Sequence, residues 1–372
     1  NHTVTFRLKA PNAQKVQITG DFLPTKQIDT PVGKYDAPGV ADLVKDDKGV
    51  WSFTSTNLSP ELYSYNLILD GVKIVDPGSV YITRDITSET NIFILSDKKG
   101  DCGDLYTVNE VPHGNVQKVW YDSPTLKMQR RMTVYTPAGY DKGKDYPVLY
   151  LLHGAGGDED AWTTLGRAQH ILDNLIATGK AKPMVVVMTN GNPNCQAAPG
   201  EWSAGMYVPS FNGYQGAKAV ATMDESFPDV MNYVESHYKV GKDKAHRAIC
   251  GLSMGGGHSF DISRRFPNKF DYVGLFSAGL HVGKTGDFRT DFYKMLQEDE
   301  EAKQQLATLF KNKPKLYWIG MGKTDFLYKS TAGLRRYFDE KGYKYTYMET
   351  EGGHIWRNWR VYLTEFAQKI FK

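Results

Sequence analysis

Ser253 is the residue in this sequence whose surroundings best suit a nucleophile. It stands in Gly251-Leu252-Ser253-Met254-Gly255-Gly256, directly after the apolar run Arg247-Ala248-Ile249-Cys250. A serine between glycines at this spacing predicts a tight strand-to-helix turn, the nucleophile elbow, which presents the hydroxyl group instead of burying it. A bare GxSxG pattern is weak by itself, so the interpretation depends on whether the chain also supplies a base, an acid and hydrogen-bond donors.

His354 is the expected base, because a serine hydroxyl is a poor nucleophile until a histidine takes its proton. Of the nine histidines, it alone follows the last predicted strand, Lys344 to Glu349, and Gly352-Gly353 precede it in a loop that can return to the elbow. Three other histidines are interpreted as packing or surface residues: His258 in the helix after the elbow, His237 and His246.

Asp325 is the expected acid, which must hold the imidazole in one tautomer. It closes the strand-like segment Tyr317 to Thr324, and the chain order serine, acid, histidine is that of α/β-hydrolases. Asp325 also suits a helix N-cap, and Glu349 and Glu351 are rival acids only a few residues from His354.

Two backbone N–H groups are the expected donors to the negatively charged oxygen that forms in ester cleavage. Met254, directly after the nucleophile, supplies one. The second is assigned to Ala155, with Gly156 as the alternative, in the glycine-rich segment His153 to Gly157. His153 itself is interpreted as a residue that shapes this loop.

Length and composition favour two globular domains without nucleic-acid or membrane partners. The chain has 372 residues, 41% of them hydrophobic, and a net charge of +3 without a long basic block or an 18-residue apolar run. Its start at Asn1, without methionine, suggests that a leader is missing from this sequence, which leaves export open. The three cysteines lack metal-site spacing; Cys250 is expected in the core, and a Cys102–Cys195 bridge stays open.

Two different patterns divide the chain. Residues 1–95 alternate in short runs between turns and predict an all-β immunoglobulin-like sandwich, in which Asp70-Gly71 marks a hairpin. Residues 96–115 are interpreted as a linker. Residues 116–372 alternate apolar strands with helices, one of them Asp224 to Tyr238, and predict an α/β-hydrolase domain with a sheet covered on both faces.

The first domain resembles the family 48 carbohydrate-binding modules. The resembling stretches are Phe6 to Ala13, Gly20-Asp21-Phe22, Tyr63-Ser64-Tyr65, Asp70-Gly71 and Asp76-Pro77. The resemblance implies that exposed aromatic side chains stack on sugars, and the first candidates are Trp51, Tyr63, Tyr65 and Tyr81. The alternative is that aromatic residues at period two pack in the core or across strands.

The second domain resembles the esterase D-like α/β-hydrolases, most closely the bacterial feruloyl esterases of carbohydrate esterase family 1. The resembling stretches are Arg131 to Pro137, Tyr146 to Gly154, Gly251 to Gly256 and Gly352 to Trp356. The resemblance implies hydrolysis of feruloyl and other hydroxycinnamoyl esters on arabinoxylan side chains. It implies no cofactor or metal, and a plant cell-wall polysaccharide or feruloylated oligosaccharide as partner of a secreted or periplasmic protein.

Several aromatic residues could line a slot for the phenyl ring of such a substrate. A long stretch rich in Gly, Asn and Pro lies between the strand ending near Asn190 and the helix near Asp224. The candidates there and beside the expected catalytic residues are Trp162, Trp202, Tyr207, Phe211, Tyr214 and Trp356. Ordinary loop packing is the alternative for each.

Other activities stay open on the same residues. An acetyl-xylan esterase or a siderophore esterase of the enterochelin type would use the same three side chains, and an acyltransferase similar to mycolyltransferases would pass the acyl group to an alcohol. From another class, the chain could be a glycan-binding protein with an inactive hydrolase domain. The sequence leaves the preferred acyl group and the oligomeric state open.

Overall fold

The computed structural model describes residues 2–30, 33–207, 218–283 and 292–372. The chain divides into two compact units, Asn1–Glu110 and Val111–Lys372, and each has its own apolar core. The division falls inside the segment 96–115. The assignment of that whole segment as a linker stays a prediction.

The first unit is built from antiparallel strands. One sheet has the order β1-β7-β6, a second has the order β10-β11-β8-β2-β5 with β9 also on β8, and β3 pairs with β4. The strands are β1 (Thr5–Lys9), β2 (Val16–Gly20), β3 (Lys26–Thr30), β4 (Gly33–Ala37), β5 (Gly39–Asp42), β6 (Val44–Lys45), β7 (Val50–Thr54), β8 (Glu61–Leu69), β9 (Val72–Ile74), β10 (Ile82–Asp85) and β11 (Ser88–Leu95), and helix α1 (Cys102–Tyr106) follows them. The all-β prediction is confirmed.

The Asp70-Gly71 hairpin forms as the sequence predicts. Leu69 on β8 pairs with Val72 on β9, and the two residues between them have φ angles of +48° and +88°. Positive φ at both central positions is the requirement of the two-residue turn whose twist matches its strands.

The aromatic candidates of this unit divide into a buried group and one exposed residue. Trp51 is buried and its Nε1 donates to the carbonyl oxygen of Ala10 at 2.9 Å. Tyr63 and Tyr65 are also buried, where both contact the ring of Phe93. The expectation of exposed sugar-binding rings is therefore wrong for these three, whose packing fills the core. Tyr81 is 71% exposed, so it is the one of these four candidates for which the prediction of glycan binding still stands.

The second unit contains a mixed sheet of eight strands with the order β12-β13-β15-β14-β16-β17-β18-β19. β12 and β13 run antiparallel to each other, β13 runs antiparallel to β15, and the remaining pairs are parallel. The strands are β12 (Asn115–Ser123), β13 (Met128–Thr136), β14 (Val148–Leu152), β15 (Val185–Thr189), β16 (Arg247–Leu252), β17 (Tyr272–Phe276), β18 (Leu316–Gly322) and β19 (Thr346–Thr350).

Helices follow these strands, and their apolar side chains complete the core of this unit. They are α2 (Ala161–Thr164), α3 (Ala168–Ala177), α4 (Met223–His237), α5 (Met254–Arg265), α6 (Phe292–Glu298), α7 (Glu300–Lys311), α8 (Tyr328–Lys341) and α9 (Trp356–Ala367), with short 3₁₀ turns at Tyr140–Lys142, Ala204–Tyr207 and Lys244–His246. All residues of β14 to β17 are buried, as expected for strands covered on both faces. The α/β-hydrolase prediction is confirmed.

The cysteines and the helices bear on two further expectations. Cys102, Cys195 and Cys250 are all free, so the Cys102–Cys195 bridge is not formed, and Cys250 lies in the core as expected. Among the described residues, no helix combines the length and the apolar character that crossing a membrane requires.

Candidate active site

Ser253 lies on the turn between β16 and α5 in a backbone conformation that side chains rarely adopt, with φ +52° and ψ −116°. Hydrogen bonds fix the turn to the end of β17 and the residues after it. Ser253 N–H donates to Phe276 O at 2.8 Å, and Gly279 N–H donates to Ser253 O at 2.8 Å. The strain is held by its surroundings, as at other functional turns.

The flanking glycines let this turn form. A Cβ atom on Gly255 would lie 2.4 Å from His153 O and 2.5 Å from Leu152 O, and one on Gly251 would lie 2.5 Å from the Gly255 carbonyl group. Helix α5 therefore crosses β14 and β16 at backbone contact distance, which only glycine permits.

The expected oxyanion donors adjoin the serine. Met254 is the first residue of α5, where N–H groups have no partner inside the helix. Gly154 to Gly157 form a turn closed by a 3.1 Å hydrogen bond from Gly157 N–H to Gly154 O; Gly156 has φ +81°, and Ala155 is exposed at its tip. A Cβ on Gly154 would lie 3.2 Å from Ser253 Cβ, so the turn is beside the nucleophile.

His354 and Asp325 form a buried pair. Nδ1 of His354 lies 2.9 Å and 3.1 Å from the two carboxylate oxygens of Asp325, whose side chain is 0% exposed, against 12% for the histidine. Leu327 N–H donates to the same carboxylate at 2.9 Å. Because Nδ1–H donates to the acid, Nε2 is the nitrogen left to accept a proton.

The sheet brings the three residues to one edge. Ser253 follows β16, Asp325 follows β18 and His354 follows β19, and these strands run parallel, so their carboxyl ends share an edge. The rival acids are engaged elsewhere. Glu349 accepts from Tyr328 and Tyr347, hydrogen bonds that lower its pKa, and Glu351 pairs with Lys323.

His153 is occupied at both ring nitrogens. Gly191 N–H donates to its Nε2 at 2.8 Å, and its Nδ1 donates to Gly154 O at 2.7 Å. Burial lowers its pKa, which keeps the ring neutral for these two bonds. It therefore shapes the Gly154–Gly157 turn, as expected from the sequence. His258 follows Met254 by one helical turn and also has a pKa lowered by burial, to about 4.

The aromatic candidates differ in availability. Trp162 is 1% exposed and its Nε1 donates to Leu152 O at 2.9 Å, which corrects its assignment as a substrate contact: the ring is buried and bonded to the last residue of β14. Trp356 is half-buried against Trp162, and Trp202 is half-buried beside Gly205. Tyr207 ends a 3₁₀ turn, and Phe211 and Tyr214 lie outside the described residues.

Sequence reasoning missed the polar side chains that hold the segment 190–201. Arg130 is buried and donates through Nη2 to Asn190 O at 2.6 Å and to Asn192 O at 2.8 Å, and through Nε to Cys195 O at 3.1 Å. Arg131 bonds to the buried Glu159. The available signal was an adjacent arginine pair in a strand-like run, followed later in the chain by acidic residues directly after the Gly154–Gly157 turn.

Relatives of known sequence include large xylan-degrading enzymes. The chain is 31% identical over 378 residues to the endo-1,4-beta-xylanase/feruloyl esterase of Xylanibacter ruminicola, covering 99% of this chain and 44% of that protein. Over 158 residues it is 29% identical to endo-1,4-beta-xylanase Y of Acetivibrio thermocellus, covering 40% of this chain and 12% of that protein. This chain thus spans less than half of either relative.

Solved structures give a matching fold. The CE1 ferulic acid esterase of Anaeromyces mucronatus aligns with a TM-score of 0.53 at 25% identity, over 73% of this chain and 96% of that one. The enterobactin esterase of Shigella flexneri aligns with a TM-score of 0.63 over 98% of this chain and 92% of that one; at 14% identity this is a likeness of fold alone. The family model described as "putative esterase" matches residues 123–370, and the chain therefore belongs to this esterase family.

Proposed function

We propose that this chain is a serine esterase that releases ferulate and related hydroxycinnamates from ester bonds to the arabinose side chains of xylan. The observation that carries the esterase assignment is the buried His354–Asp325 pair at the sheet edge where the elbow presents Ser253. The feruloyl assignment is supported by the xylanase/feruloyl esterase relative, which matches 99% of this chain.

The first half of the reaction transfers the acyl group to the enzyme. Ser253 Oγ attacks the ester carbonyl carbon while His354 Nε2 takes the hydroxyl proton, and Asp325 stabilises the imidazolium ion. The N–H groups of Met254 and Ala155 donate to the negatively charged oxygen of the tetrahedral intermediate. The intermediate then collapses and the sugar oxygen takes the proton from His354. The sugar departs as an alcohol, and a feruloyl ester remains on Ser253.

The second half returns the enzyme to its starting state. Water gives a proton to His354 Nε2 and attacks the feruloyl ester, and the same donors hold the second tetrahedral intermediate. When it collapses, Ser253 Oγ recovers the proton from His354, and the product leaves as ferulic acid, which loses its carboxyl proton to water and becomes ferulate.

Replacement of the nucleophile tests this proposal. Ser253→Ala lowers kcat for methyl ferulate by at least about 10⁴-fold because no acyl-enzyme forms. Ser263→Ala is the matched control: this buried serine of α5 donates to Phe260 O and should leave kcat unchanged. Rapid-quench mass spectrometry should detect one feruloyl group on the wild-type enzyme and none on Ser253→Ala. Turnover by Ser253→Ala contradicts the mechanism.

A siderophore ester is the second candidate substrate, favoured by the fold match to enterobactin esterase over 98% of this chain. A panel of methyl ferulate, p-coumarate, sinapate, an aryl acetate and a catecholate ester separates the candidates. Preference for the catecholate ester would replace the feruloyl assignment and leave the serine mechanism in place. A polysaccharide partner, an extracellular location and glycan binding through Tyr81 are parts of the feruloyl proposal.

A further inference from the structure

Glu159 is a buried carboxylate in the loop that carries the oxyanion turn. Its side chain is 0% exposed and accepts three hydrogen bonds: from Arg131 Nε at 2.7 Å and Ala198 N–H at 2.9 Å on Oε1, and from Asn190 Nδ2 at 2.9 Å on Oε2. The donors come from β13, from Ala198 and from the residue after β15. One side chain therefore joins the loop that follows the Gly154–Gly157 turn to three other segments.

The bonds from Glu159 continue back to the oxyanion turn. Asn190 Oδ1 accepts from the N–H and the Nδ2 of Asn192, both at 3.0 Å. Asn192 Nδ2 also donates to the carbonyl oxygen of Gly157 at 3.0 Å, and Gly157 closes the turn that contains Ala155. Glu159, Asn190 and Asn192 thus form a ring of contacts that begins and ends on the oxyanion loop.

The donors and acceptors in this ring of contacts have a fixed arrangement. Asn190 uses its amide nitrogen toward Glu159 and its amide oxygen toward Asn192, so its amide cannot rotate without losing both contacts. The group at position 159 must therefore accept on both oxygens. A carboxylate does this, whereas an amide of the same size turns one NH₂ group toward a donor.

Stability alone is a weak reason for such an arrangement, because the desolvation of a buried ion pair offsets most of its attraction. A second ion pair, between the same sheet and a helix, gives the comparison. The buried Arg247, the first residue of β16, lies 2.6 Å from the partly buried Glu235 of α4 through Nη2 and Oε1. Since Ser253 follows the other end of β16, the Arg247–Glu235 pair lies at the edge remote from the elbow.

We propose that Glu159 is a positioning residue for ester hydrolysis. Its carboxylate fixes the Gly154–Gly157 turn against residues 190–198, so that the Ala155 N–H points at the place where the negative oxygen develops. Glu159 itself touches neither substrate nor the reacting atoms. The inference rests on the proposed esterase function, because it concerns the donors of that reaction.

The test compares Glu159→Gln with Glu235→Gln, which removes the same charge from the remote pair. For Glu159→Gln we expect kcat for methyl ferulate and p-nitrophenyl acetate to fall by about 10- to 100-fold with KM within about twofold, because misplaced donors act on the transition state. Its kcat/KM should keep the wild-type pH profile, since His354 and Asp325 are untouched. Glu235→Gln should lower Tm and leave kcat unchanged. Wild-type kcat in Glu159→Gln, with only a lower Tm, overturns the proposal.

A second variant decides the question if Glu159→Gln fails to fold. Asn190→Ala removes the contacts of Asn190 with Glu159 and with Asn192 and leaves the Arg131–Glu159 pair. We expect kcat to fall several-fold at unchanged KM; an unchanged kcat overturns the proposal. The reaction of Ser253 with a fluorophosphonate separates this failure from failure of the function. A wild-type chain that neither hydrolyses esters nor reacts with the probe removes the proposed function and this inference with it. An active wild type with an equally active Glu159→Gln removes only this inference.

Discussion

The Asp325 carboxylate gives His354 one ring orientation. Both oxygens lie within 3.1 Å of Nδ1, and the Leu327 N–H holds one of them from the other side. The rings of Phe326 and Trp359 contact the imidazole, with centroids 4.4 Å and 4.9 Å away. The histidine is therefore fixed by one charge-assisted contact and two ring contacts before substrate arrives, which spares that reorganisation during the reaction.

Asp325→Asn tests this role. The amide keeps the size of the side chain, but it stabilises the imidazolium ion poorly and permits the wrong tautomer of His354. We expect kcat for methyl ferulate to fall by about 10³- to 10⁴-fold with little change in KM. Steady-state kinetics measure the effect.

The rival acid supplies the control. Glu349→Gln removes a carboxylate that contacts Tyr328 and Tyr347, and it should leave kcat within about twofold of wild type. A loss of kcat in Glu349→Gln as large as that in Asp325→Asn would count against Asp325 as the acid.

Single residues were predictable from the sequence where chain order or a local pattern defines them. Ser253, Asp325 and His354 each follow a strand of one sheet, so their order along the chain placed them at a common edge. Glu159 has no such signal, because its partners come from β13, from the residue after β15 and from Ala198, which meet only in the folded chain. Trp162 was misjudged because sequence position does not tell the inside of a loop from its surface.

At the scale of elements, the site depends on how closely α5 crosses β14. Gly255 lies where these backbones touch, and a Cβ atom there would come within 2.5 Å of the carbonyl oxygens of His153 and Leu152. Backbone groups in a sheet strand cannot move aside as a flexible side chain can.

Gly255→Ala should therefore destabilise the fold. Alanine in a helix gains about 1 kcal/mol over glycine, but the clash forces α5 away from β14 and costs more than this gain. We expect a net loss of about 1–3 kcal/mol in the free energy of unfolding, measured by urea denaturation at unchanged m-value.

Gly279→Ala is the control from the same neighbourhood. Its Cβ would lie 3.5 Å from Ser253 O, an ordinary van der Waals distance, so the change should stay within about 1 kcal/mol. Equal losses in both variants would mean that crowding at the crossing does not explain the need for Gly255.

The central strands were predictable as elements because burial on both faces makes them continuous apolar runs. Helix α4 was also predictable, and its bounds differ by one residue at each end from the expected Asp224 to Tyr238. The edge pair β12 and β13 was not singled out as strands. β12 is mostly exposed and polar. A strand with one solvent-exposed face at the edge of a sheet lacks the apolar run that marks its neighbours.

At the scale of the whole molecule, the two units have separate cores. The buried cluster of the first unit extends from Phe6 to Leu67, and that of the second from Tyr121 to Phe338. Within the described part of the chain, neither cluster includes a residue of the other unit. The change from an alternating pattern to a strand-helix pattern predicts two domains from the sequence, and their bounds 1–95 and 116–372 stay a prediction.

The second unit should consequently fold and hydrolyse esters without the first unit. We expect residues 111–372, expressed separately, to unfold cooperatively and to hydrolyse methyl ferulate with kcat within about twofold of the full chain. Thermal unfolding and steady-state kinetics test this. An insoluble or inactive fragment would show that the first unit is needed for folding or for the site.

The strained conformation of Ser253 also affects how this scaffold can be engineered. A side chain at φ +52° and ψ −116° is held there at a cost of about 1–3 kcal/mol, which glycine would largely avoid. A library screened for heat resistance alone would consequently enrich glycine at position 253 and discard the nucleophile. Directed evolution of more durable variants therefore has to select for turnover and thermal tolerance in the same round.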